Sequence, residues 1–364
     1  MKKIAVILLT ILCVTTWMSC NQDEFRSFED YDYTTVYFPY QYPVRTLILG
    51  DYSLADNSRD KEFKFLISAR IGGVYKNNSD VKIAYQIDES LVDNLLTNPN
   101  QWDGKTTTTS DVLAALPSNY YTLGGDGKSF IIPKGSYHGG VEIQLTPAFF
   151  DDPLAWKTHY VIPLRITSTS ADSVLSGYTV IPNADPRVMN DWDVVPKDFT
   201  IFGIKFVNPF HGKYLHKGKS VITMQGSDEI QTITYSAVSP TTGIPTLELN
   251  EILTLHTSGK NRVTTTARLR DLVSSPGNFE IYLDFIDGGD DCIVTDTENS
   301  KFPVKGSGRY ARDTETWGGK TRDAIYLNLE VTNGASTATI TDTLVFRDKG
   351  INFQEYSPVL DFGD

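Results

Sequence analysis

The chain has 364 residues, of which 40% are hydrophobic and 21% are charged, a composition typical of globular proteins and not of disordered or fibrous ones. Its 33 Lys and Arg against 45 Asp and Glu give a net charge of −12. Nucleic acid and anionic lipid are both bound through clustered cations, so the sequence predicts no nucleic-acid partner and no charge-driven membrane contact.

The first residues have the features of a secretion signal. Lys2 and Lys3 are followed by an apolar run over 4–14, which is too short to span a membrane. Ser19 then precedes Cys20, an arrangement that resembles a bacterial lipobox, although Trp17 stands where Leu or Val is usual. We predict a lipoprotein signal peptide over 1–19 and lipid attachment at Cys20. An ordinary signal peptide with an incidental cysteine is the alternative.

An acidic pair follows the cysteine. Asp23 and Glu24 look like the surface-export signal of Bacteroidetes lipoproteins, although a solvated linker would have the same composition. We therefore predict a surface linker over 20–32. The predicted location is the outer membrane, with a lipid anchor and the protein facing the cell exterior.

The cysteines are too few for a disulfide in the mature chain. Cys13 leaves with the signal and Cys20 would carry lipid, so Cys292 remains alone. Stability must then come from packed cores.

Apolar and polar residues alternate through the first half of the mature chain with the period of two that is typical of strands. These rows predict strands over 33–38, 44–49, 63–71, 81–87, 130–132, 141–145 and 162–166. About eight or nine strands of this kind indicate an immunoglobulin-like β-sandwich. The rhythm breaks at three places, where we predict short helical turns over 91–96 and 110–116 and a polar loop over 98–109.

The second half repeats the pattern after a stretch that contains three prolines and has little periodicity. We predict a sandwich over 33–182, a linker over 183–197 and a second β domain over 198–364. In the second domain, alternating rows over 263–269, 279–285 and 325–331 are joined by turn sequences at 258–261, 287–290 and 317–320. This spacing predicts an antiparallel up-and-down barrel or a second sandwich, in a chain that is mainly β.

Catalytic and metal-binding motifs are absent from the sequence. The serine motif G-x-S-x-G and the zinc motif H-E-x-x-H do not occur, and His211 and His216 are five apart, which on a strand gives opposite faces. We predict no enzymatic activity and no cofactor. The weak candidates for a calcium site are Asp287, Asp290 and Asp291, for which a hairpin turn is the better interpretation. These three and Glu315 could still supply the acid pair of a glycosidase.

Exposed aromatic residues point to a different function. Sugar rings stack on aromatic rings, while charged side chains bind their hydroxyls. Trp317 and Trp102 lie in polar segments, and Arg312 and Glu315 are near Trp317 in sequence. These four are the predicted glycan-binding residues, although each tryptophan could instead anchor its own loop.

Two tripeptides resemble the Bacteroidetes O-glycosylation pattern, in which Asp precedes Ser or Thr and an apolar residue. They are Asp172-Ser173-Val174 and Asp342-Thr343-Leu344. Chance occurrence explains them equally well.

Several stretches together resemble one known family. They are 67–75, 117–123, 131–136 and 158–166, which are similar to the N-terminal domain of Bacteroidetes surface lipoproteins encoded in polysaccharide-utilisation loci. In other members a similar domain precedes a family 18 glycoside hydrolase domain or a lectin-like domain. Residues 191–198 and 208–214 resemble the junction to the family's C-terminal domain, which is similar to a calycin barrel. The resemblance implies a calycin-like barrel here and carries over no hydrolase activity.

These features favour a non-catalytic cell-surface lipoprotein that binds a polysaccharide or a glycoprotein glycan in a polysaccharide-utilisation system. Its expected partners are an outer-membrane importer complex and surface hydrolases. The main alternative is a structural lipoprotein, such as an adhesin or assembly subunit, with a protein partner. A glycosidase and a barrel that holds an apolar ligand are further alternatives.

Overall fold

The structure is a computed structural model that describes residues 33–52, 54–97, 112–243, 246–270, 277–334 and 336–361. The predicted signal peptide and linker, Cys20 and Trp102 lie outside these residues. Within the described segments, no helix has the length and apolarity needed to cross a membrane.

Two sheets pack together in the first half. Its strands are β1 (Thr35–Tyr37), β2 (Pro43–Ile48), β3 (Lys64–Gly72), β4 (Val81–Ile87), β5 (Leu95–Thr97), β6 (Ala114–Ala115), β7 (Tyr121–Leu123), β8 (Ser129–Ile132), β9 (His138–Leu145), β10 (Tyr160–Thr169), β11 (Ser173–Val174) and β12 (Phe199–Val207). One sheet has the order β11-β1-β3-β9-β7, and the other contains β2-β12-β10-β4-β8 with β6 added to β10. Two short helices are α1 (Ser58–Lys61) and α2 (Pro147–Asp151), and 3-10 turns occur at Glu89–Val92, Ser118–Tyr120, Met189–Asp191, Leu247–Leu249 and Ile286–Gly288.

The predicted period of two is confirmed in the sandwich core. In β3, Phe65, Ile67, Ala69 and Ile71 are buried, and the residues between them are more exposed. Val141, Ile143 and Leu145 of β9 face the same core. This apolar layer between the sheets holds the sandwich together, since each buried Leu, Ile, Val or Phe side chain contributes about 1.5–3 kcal/mol.

Both predicted helical turns need correction. The turn predicted over 91–96 ends at Val92, and Leu95–Thr97 is strand β5, which pairs with Pro358–Leu360 near the end of the chain. Residues 112–116, predicted as part of a helical turn, are extended, and Ala114–Ala115 pairs with β10 in parallel. The amides of Ala114 and Leu116 donate to the carbonyls of His159 and Val161 at 3.0 and 2.8 Å. Pairing with a neighbouring strand therefore satisfies the backbone N–H groups, which in a helical turn would bond to carbonyls of the same segment.

The second half forms a closed antiparallel barrel. Its strands are β13 (Gly212–Met224), β14 (Ile230–Tyr235), β15 (Ile252–Thr257), β16 (Arg262–Leu269), β17 (Gly277–Phe285), β18 (Asp291–Asp296), β19 (Val304–Trp317), β20 (Lys320–Asn333) and β21 (Ser336–Asp348). The order β13-β15-β16-β17-β18-β19-β20-β21 closes through the pairing of β21 with β13, and β14 pairs with the far half of β13. The inward row of β20 is Ile325, Leu327, Leu329 and Val331, each at most 2% exposed.

Strand pairing connects the two halves. β12, which follows the predicted boundary at residue 197, lies between β2 and β10 in the sandwich. After the barrel the chain returns to the first half, where β22 (Gln354–Glu355) pairs with β2 and β23 (Pro358–Leu360) pairs with β5. Both ends of the barrel segment are thus hydrogen-bonded to the sandwich.

Candidate functional site

A cavity of about 390 Å³ lies where the mouth of the barrel meets the sandwich. We call it the mouth cavity. The segment after β2 and the end of α1 provide Leu49, Gly50, Asp51 and Lys61, and the barrel side provides Pro209, Phe210, Tyr214, Gly288, Asp290, Tyr310, Arg312, Asp323, Phe346 and Lys349. Its volume is within the range of small-molecule sites.

A glycine allows the two halves to approach at this point. The amide of Leu49 donates to the carbonyl of Val207 at 3.1 Å, which continues the pairing of β2 with β12. A Cβ atom at Gly50 would lie 2.7 Å from Cα of Pro209, which is closer than any side chain tolerates. The absence of a side chain at Gly50 therefore lets Asp51 reach the barrel mouth.

Aromatic rings form the inner wall of the cavity. Phe210 stacks on Phe285 with 3.4 Å between ring centroids, and Tyr310 meets Phe210 edge-on at 5.4 Å. The hydroxyl of Tyr214 donates to the carbonyl of Phe210 at 2.8 Å, and burial raises the pKa of Tyr214 well above its usual value. Phe346 packs edge-on against Tyr214 at 5.5 Å. Such interlocked rings give a rigid apolar surface.

Three carboxylates at the cavity have different partners. Asp51 accepts a hydrogen bond from Lys61 at 2.6 Å, and this contact lowers the pKa of Asp51. Asp323 accepts hydrogen bonds from the Tyr310 hydroxyl and from the amide of Asp313. Asp290 lies 3.8 Å from Arg312, whose side chain is 65% exposed, so this ion pair is loose.

Lys349 is the buried cation of the cavity. It is 4% exposed, donates to the carbonyl of Pro209 and lies 5.3 Å from the centre of the Phe346 ring. Burial lowers the pKa of Lys349 to about 8, although the nearby Asp323 and Asp51 favour its charged form.

A bulge in β19 separates the residues that the sequence had grouped. Ala311 pairs with Ala324 and Glu315 with Arg322, so three residues of β19 stand opposite Asp323 alone. Asp313 has a left-handed φ of 54° at the bulge. Arg312 lies at the mouth cavity, whereas Glu315 is on the outer surface of the barrel. An odd spacing of three already indicates opposite faces once the segment is known to be a strand.

Beyond the bulge the hairpin forms a second polar group, which we call the outer hairpin site. Glu315 is held by Lys217 at 2.8 Å and by the Tyr326 hydroxyl at 3.3 Å. The guanidinium of Arg322 lies over the Trp317 ring, 4.7 Å from its centre. Trp317 is half-buried, and its indole nitrogen is buried without a hydrogen-bond partner. Trp317 and Glu315, two of the predicted glycan-binding residues, therefore lie on the same surface of the barrel. Arg312, the third one in this hairpin, lies at the mouth cavity instead.

The three acidic residues considered for calcium are not gathered around a common point. Asp290 lies at the mouth cavity, Asp291 is 3.6 Å from Arg309, and Asp287 has a left-handed φ of 51° in the turn after β17. Within the described part of the chain, no group of three or more His, Cys, Asp or Glu residues could hold a metal ion.

The two possible O-glycosylation sites have different surroundings. Asp172 accepts bonds from the amide and hydroxyl of Thr34 at 2.7 Å each, and the Ser173 hydroxyl is half-buried, 2.7 Å from that of Thr35. Asp342 is buried inside the barrel, whereas Thr343 is half-exposed on the neighbouring position of the strand.

A cluster of polar and titratable side chains, in which His216 and Asp342 are buried and Glu251 is exposed, had no signal in the sequence. Nε2 of His216 lies 2.9 Å from Oδ2 of Asp342, and the hydroxyl of Tyr235 donates a hydrogen bond to the other carboxylate oxygen, Oδ1. Arg270 lies over the Tyr235 ring at 3.9 Å and pairs with Glu251. None of these five residues lines the mouth cavity. The cluster links β13, β14 and β21 to the residue before β15 and the residue after β16.

A larger cavity, of about 540 Å³, lies in the sandwich beneath the returning C-terminal segment. Its lining includes the exposed rings of Tyr40 and Phe353, which are 5.2 Å apart, together with Arg70 and His138. Its walls are more apolar than those of the mouth cavity. We favour the mouth cavity as the functional site because its aromatic rings and charged groups converge on one space.

Sequence reasoning missed most of the mouth cavity. Asp51, Lys61 and Lys349 come from segments far apart in the chain and carry no motif. One signal was available, because the inward row of β20 extends back from Ile325 to Asp323 and so places a carboxylate at an inward position.

Comparison with known protein families shows that two family models match this chain. A family model described as a "-like, N-terminal domain" matches residues 31–173, and the model of a domain of unknown function, DUF5627, matches residues 209–350. The chain is thus a two-part β protein in which a sandwich domain precedes a DUF5627 barrel.

A solved relative then identifies the family. A Bacteroides ovatus protein of unknown function from structural genomics is 33% identical, with a TM-score of 0.79, over 92% of this chain and 100% of its own. The chain therefore belongs to the same Bacteroidetes family as that protein.

Two further Bacteroides ovatus structures, each 11% identical, have much lower scores. One, of unknown function, has a TM-score of 0.41 over 89% of this chain and 99% of its own. The other, a multidomain protein including DUF1735, has a TM-score of 0.38 over 88% of this chain and 97% of its own. A search of the curated proteins found no match.

Proposed function

We propose that this protein is a non-catalytic glycan-binding lipoprotein of the cell surface and that the mouth cavity is its binding site. The observation that carries the proposal is the convergence of aromatic rings with three basic and three acidic side chains around one space of about 390 Å³. A sugar offers apolar C–H faces to the rings and hydroxyls to the charged groups, so it matches both parts of the lining.

Different residues of the lining would bind different parts of a sugar. A sugar ring would lie against Tyr310 and Phe346, while Asp323 and Asp290 would accept hydrogen bonds from its hydroxyls and Arg312 would donate hydrogen bonds to its oxygens. Because Asp323 is already fixed by Tyr310 and the amide of Asp313, it is oriented before a ligand arrives. Preorganisation of this kind reduces the entropy lost on binding.

A non-catalytic role is supported by the chemistry of the acids. A glycosidase needs a general acid with a raised pKa next to a second carboxylate. Burial raises the pKa of Asp198, but this residue pairs with Arg165 at 3.2 Å within the sandwich and does not line the mouth cavity. Asp51 has a lowered pKa, which is unsuitable for donating a proton.

The cellular setting of the proposal comes from the start of the chain and from the family resemblance. Cys20 would carry the lipid that anchors the protein in the outer membrane, and Asp23 with Glu24 would direct it to the outer surface. There it would hold glycan for an importer complex and for surface hydrolases of a polysaccharide-utilisation system. The resemblance to domains that precede family 18 hydrolases fits this setting.

The test is a glycan array with the chain that begins at Asn21. We expect binding to one glycan class and at least tenfold weaker binding after Arg312→Ala. The matched control is Arg309→Ala, since Arg309 is 69% exposed on the same strand but pairs with Asp291 away from the cavity. Binding that is lost in Trp317→Ala and kept in Arg312→Ala would move the site to the outer hairpin. No binding to any glycan would overturn the proposal and favour an assembly subunit, to be tested by pull-down of a protein partner.

The anchor has a separate test in a Bacteroidetes host. Metabolic labelling with a palmitate analogue is expected to mark the parent and not Cys20→Ser. Added protease is expected to digest the anchored protein on intact cells. Labelling of the Cys20→Ser variant would contradict lipid attachment at Cys20, and protection from protease would contradict exposure on the cell surface. Neither outcome bears on the binding site.

A further inference from the structure

Lys349 is a buried cation without a carboxylate partner. Its ammonium group donates to the Pro209 carbonyl and lies over Phe346, and it forms no ion pair with any described residue. Burying a charge is costly unless a counter-charge or several hydrogen bonds compensate it. An ammonium has three donors, so the contact with Pro209 leaves capacity for a ligand.

The carboxylates around it are already engaged. Asp51 is paired with Lys61 at 2.6 Å, and Asp323 accepts bonds from Tyr310 and Asp313. Asp290 is 3.8 Å from Arg312, so the guanidinium of Arg312 can turn toward a ligand at little cost. The cavity thus has two cationic groups with donors to spare, one on its floor and one at its rim.

We propose that the mouth cavity selects an acidic sugar, such as a uronic acid residue, whose carboxylate is held by Lys349 and Arg312. The inference rests on the proposed function and adds the class of glycan. Asp323 and Asp51 favour the charged form of Lys349 from a distance, but neither forms an ion pair with it. The carboxylate of the sugar would supply that contact, and Arg312 can bind the same group through two parallel hydrogen bonds. A neutral sugar would leave the buried cation without a contacting carboxylate.

The chain as a whole opposes an acidic ligand at long range, since its net charge is −12. Selection must therefore come from short contacts inside the cavity, where charges are screened less by salt than at the surface. This distinguishes the proposal from general attraction of acidic polymers to a basic protein.

The experiment compares acidic glycans with their carboxyl-reduced forms, which keep the backbone and lose the charge. Titration calorimetry with the chain from Asn21 is expected to give at least tenfold tighter binding of the acidic form, since hydrogen bonds between charged groups are stronger than those between neutral groups. Lys349→Met is expected to weaken binding of the acidic form and to leave binding of the carboxyl-reduced form unchanged, because Arg312 alone then holds the carboxylate. The matched control is Lys305→Met, because Lys305 is 75% exposed and pairs with Glu330 on the outer surface.

The outcomes separate the two proposals. If the array yields only neutral binders that need Arg312, the glycan-binding function stands and the acidic-sugar inference fails. Equal affinity of the parent for both forms also overturns the inference, as does a preference that is undiminished in Lys349→Met when circular dichroism shows that the variant is folded. Absence of binding to every acidic and neutral glycan overturns both.

Discussion

At the scale of single residues, the mouth cavity combines groups whose chemistry depends on burial. Lys349 and Arg312 are both cations, but one is 4% exposed and the other has a side chain that is 65% exposed. Burial makes the charged form of Lys349 less favourable in the folded protein, whereas Arg312 keeps most of its contact with water. The free-energy cost of burying this charge can be measured through its pH dependence.

We predict that Lys349→Met changes stability in a pH-dependent way. In the unfolded chain Lys349 stays charged to about pH 10.5, whereas its pKa in the fold is about 8. Between these values unfolding takes up a proton, so the parent gains stability as pH rises, by on the order of 3 kcal/mol. The advantage of the methionine variant is therefore largest near pH 7 and falls toward about pH 10.

Urea unfolding of the parent and variant at both pH values measures this difference. Lys305→Met serves as the control, since its side chain is 75% exposed. A stability difference between Lys349→Met and the parent that does not change with pH would show that Lys349 titrates normally.

A second residue-scale prediction concerns Cys292. Burial raises the pKa of its thiol to about 12, and the residue is 2% exposed. In the chain from Asn21, which has no other cysteine, a thiolate-specific reagent should react at least ~100-fold more slowly in buffer than in urea. The comparison variant Cys292→Ser with Ser307→Cys places the thiol on an exposed position of β19. Equal labelling rates for the parent and this variant would refute the burial.

At the scale of elements, the turn and the bulge of the β19–β20 hairpin determine which residues of the two strands lie opposite each other. Its turn consists of Gly318 and Gly319 with φ of 59° and 71°, and Trp317 pairs with Lys320 across it. Positive φ at both positions matches the right-handed twist of paired strands. The predicted turn at 317–320 is confirmed, whereas the bulge at Asp313 was not foreseen.

We predict that Gly319→Val destabilises the protein by about 1–2 kcal/mol. A Cβ atom at Gly319 would meet nothing within 4 Å, so the cost is conformational and not steric. Thermal unfolding followed by circular dichroism measures it. Gly259→Ala is the control, since a Cβ at Gly259 makes an ordinary 3.4 Å contact with Arg262 and its φ is not left-handed. A loss in the control as large as in Gly319→Val would point to a general effect of removing loop glycines.

At the scale of the whole molecule, strand pairing at both ends of the barrel segment ties the barrel to the sandwich, although each half has its own core. β12 leads from the sandwich into the barrel, and β22 and β23 return to the sandwich after it. Tyr356, in the returning segment, is 2% exposed, and its hydroxyl donates to the carbonyl of Ile201 at 2.8 Å. It packs in a cluster with Val44, Val161 and Phe199.

We predict that Tyr356→Ala lowers the free energy of unfolding by roughly 3–5 kcal/mol, and Tyr356→Phe by about 1 kcal/mol. Because β12, β22 and β23 fix both ends of the barrel segment to the sandwich, we predict a single unfolding transition for both halves, shifted as a whole by the substitution. Calorimetry records the number of transitions and their shift. Tyr178→Ala, at a position that is 60% exposed, should change stability by less than ~0.5 kcal/mol. Two separate transitions, with one unaffected by Tyr356→Ala, would show that the halves unfold independently.

The amino-acid sequence by itself determined the mainly β character, most strands of the two cores and the hairpin turns. These features are local, because alternation at i and i+2 and glycines at turns are written in a few consecutive residues. Phe65, Ile67 and Ala69 in β3 and the row from Ile325 to Val331 are examples in which burial follows directly from that pattern.

Only the tertiary structure decided which residues line the mouth cavity and that β12 belongs to a sandwich sheet. Asp51 and Lys349 meet there although about 300 residues separate them, since the halves approach at Gly50 and the barrel closes through β13 and β21. Pro43 likewise pairs with Glu355. Contacts of this kind depend on register and closure of the whole chain, for which no short stretch of sequence carries a signal.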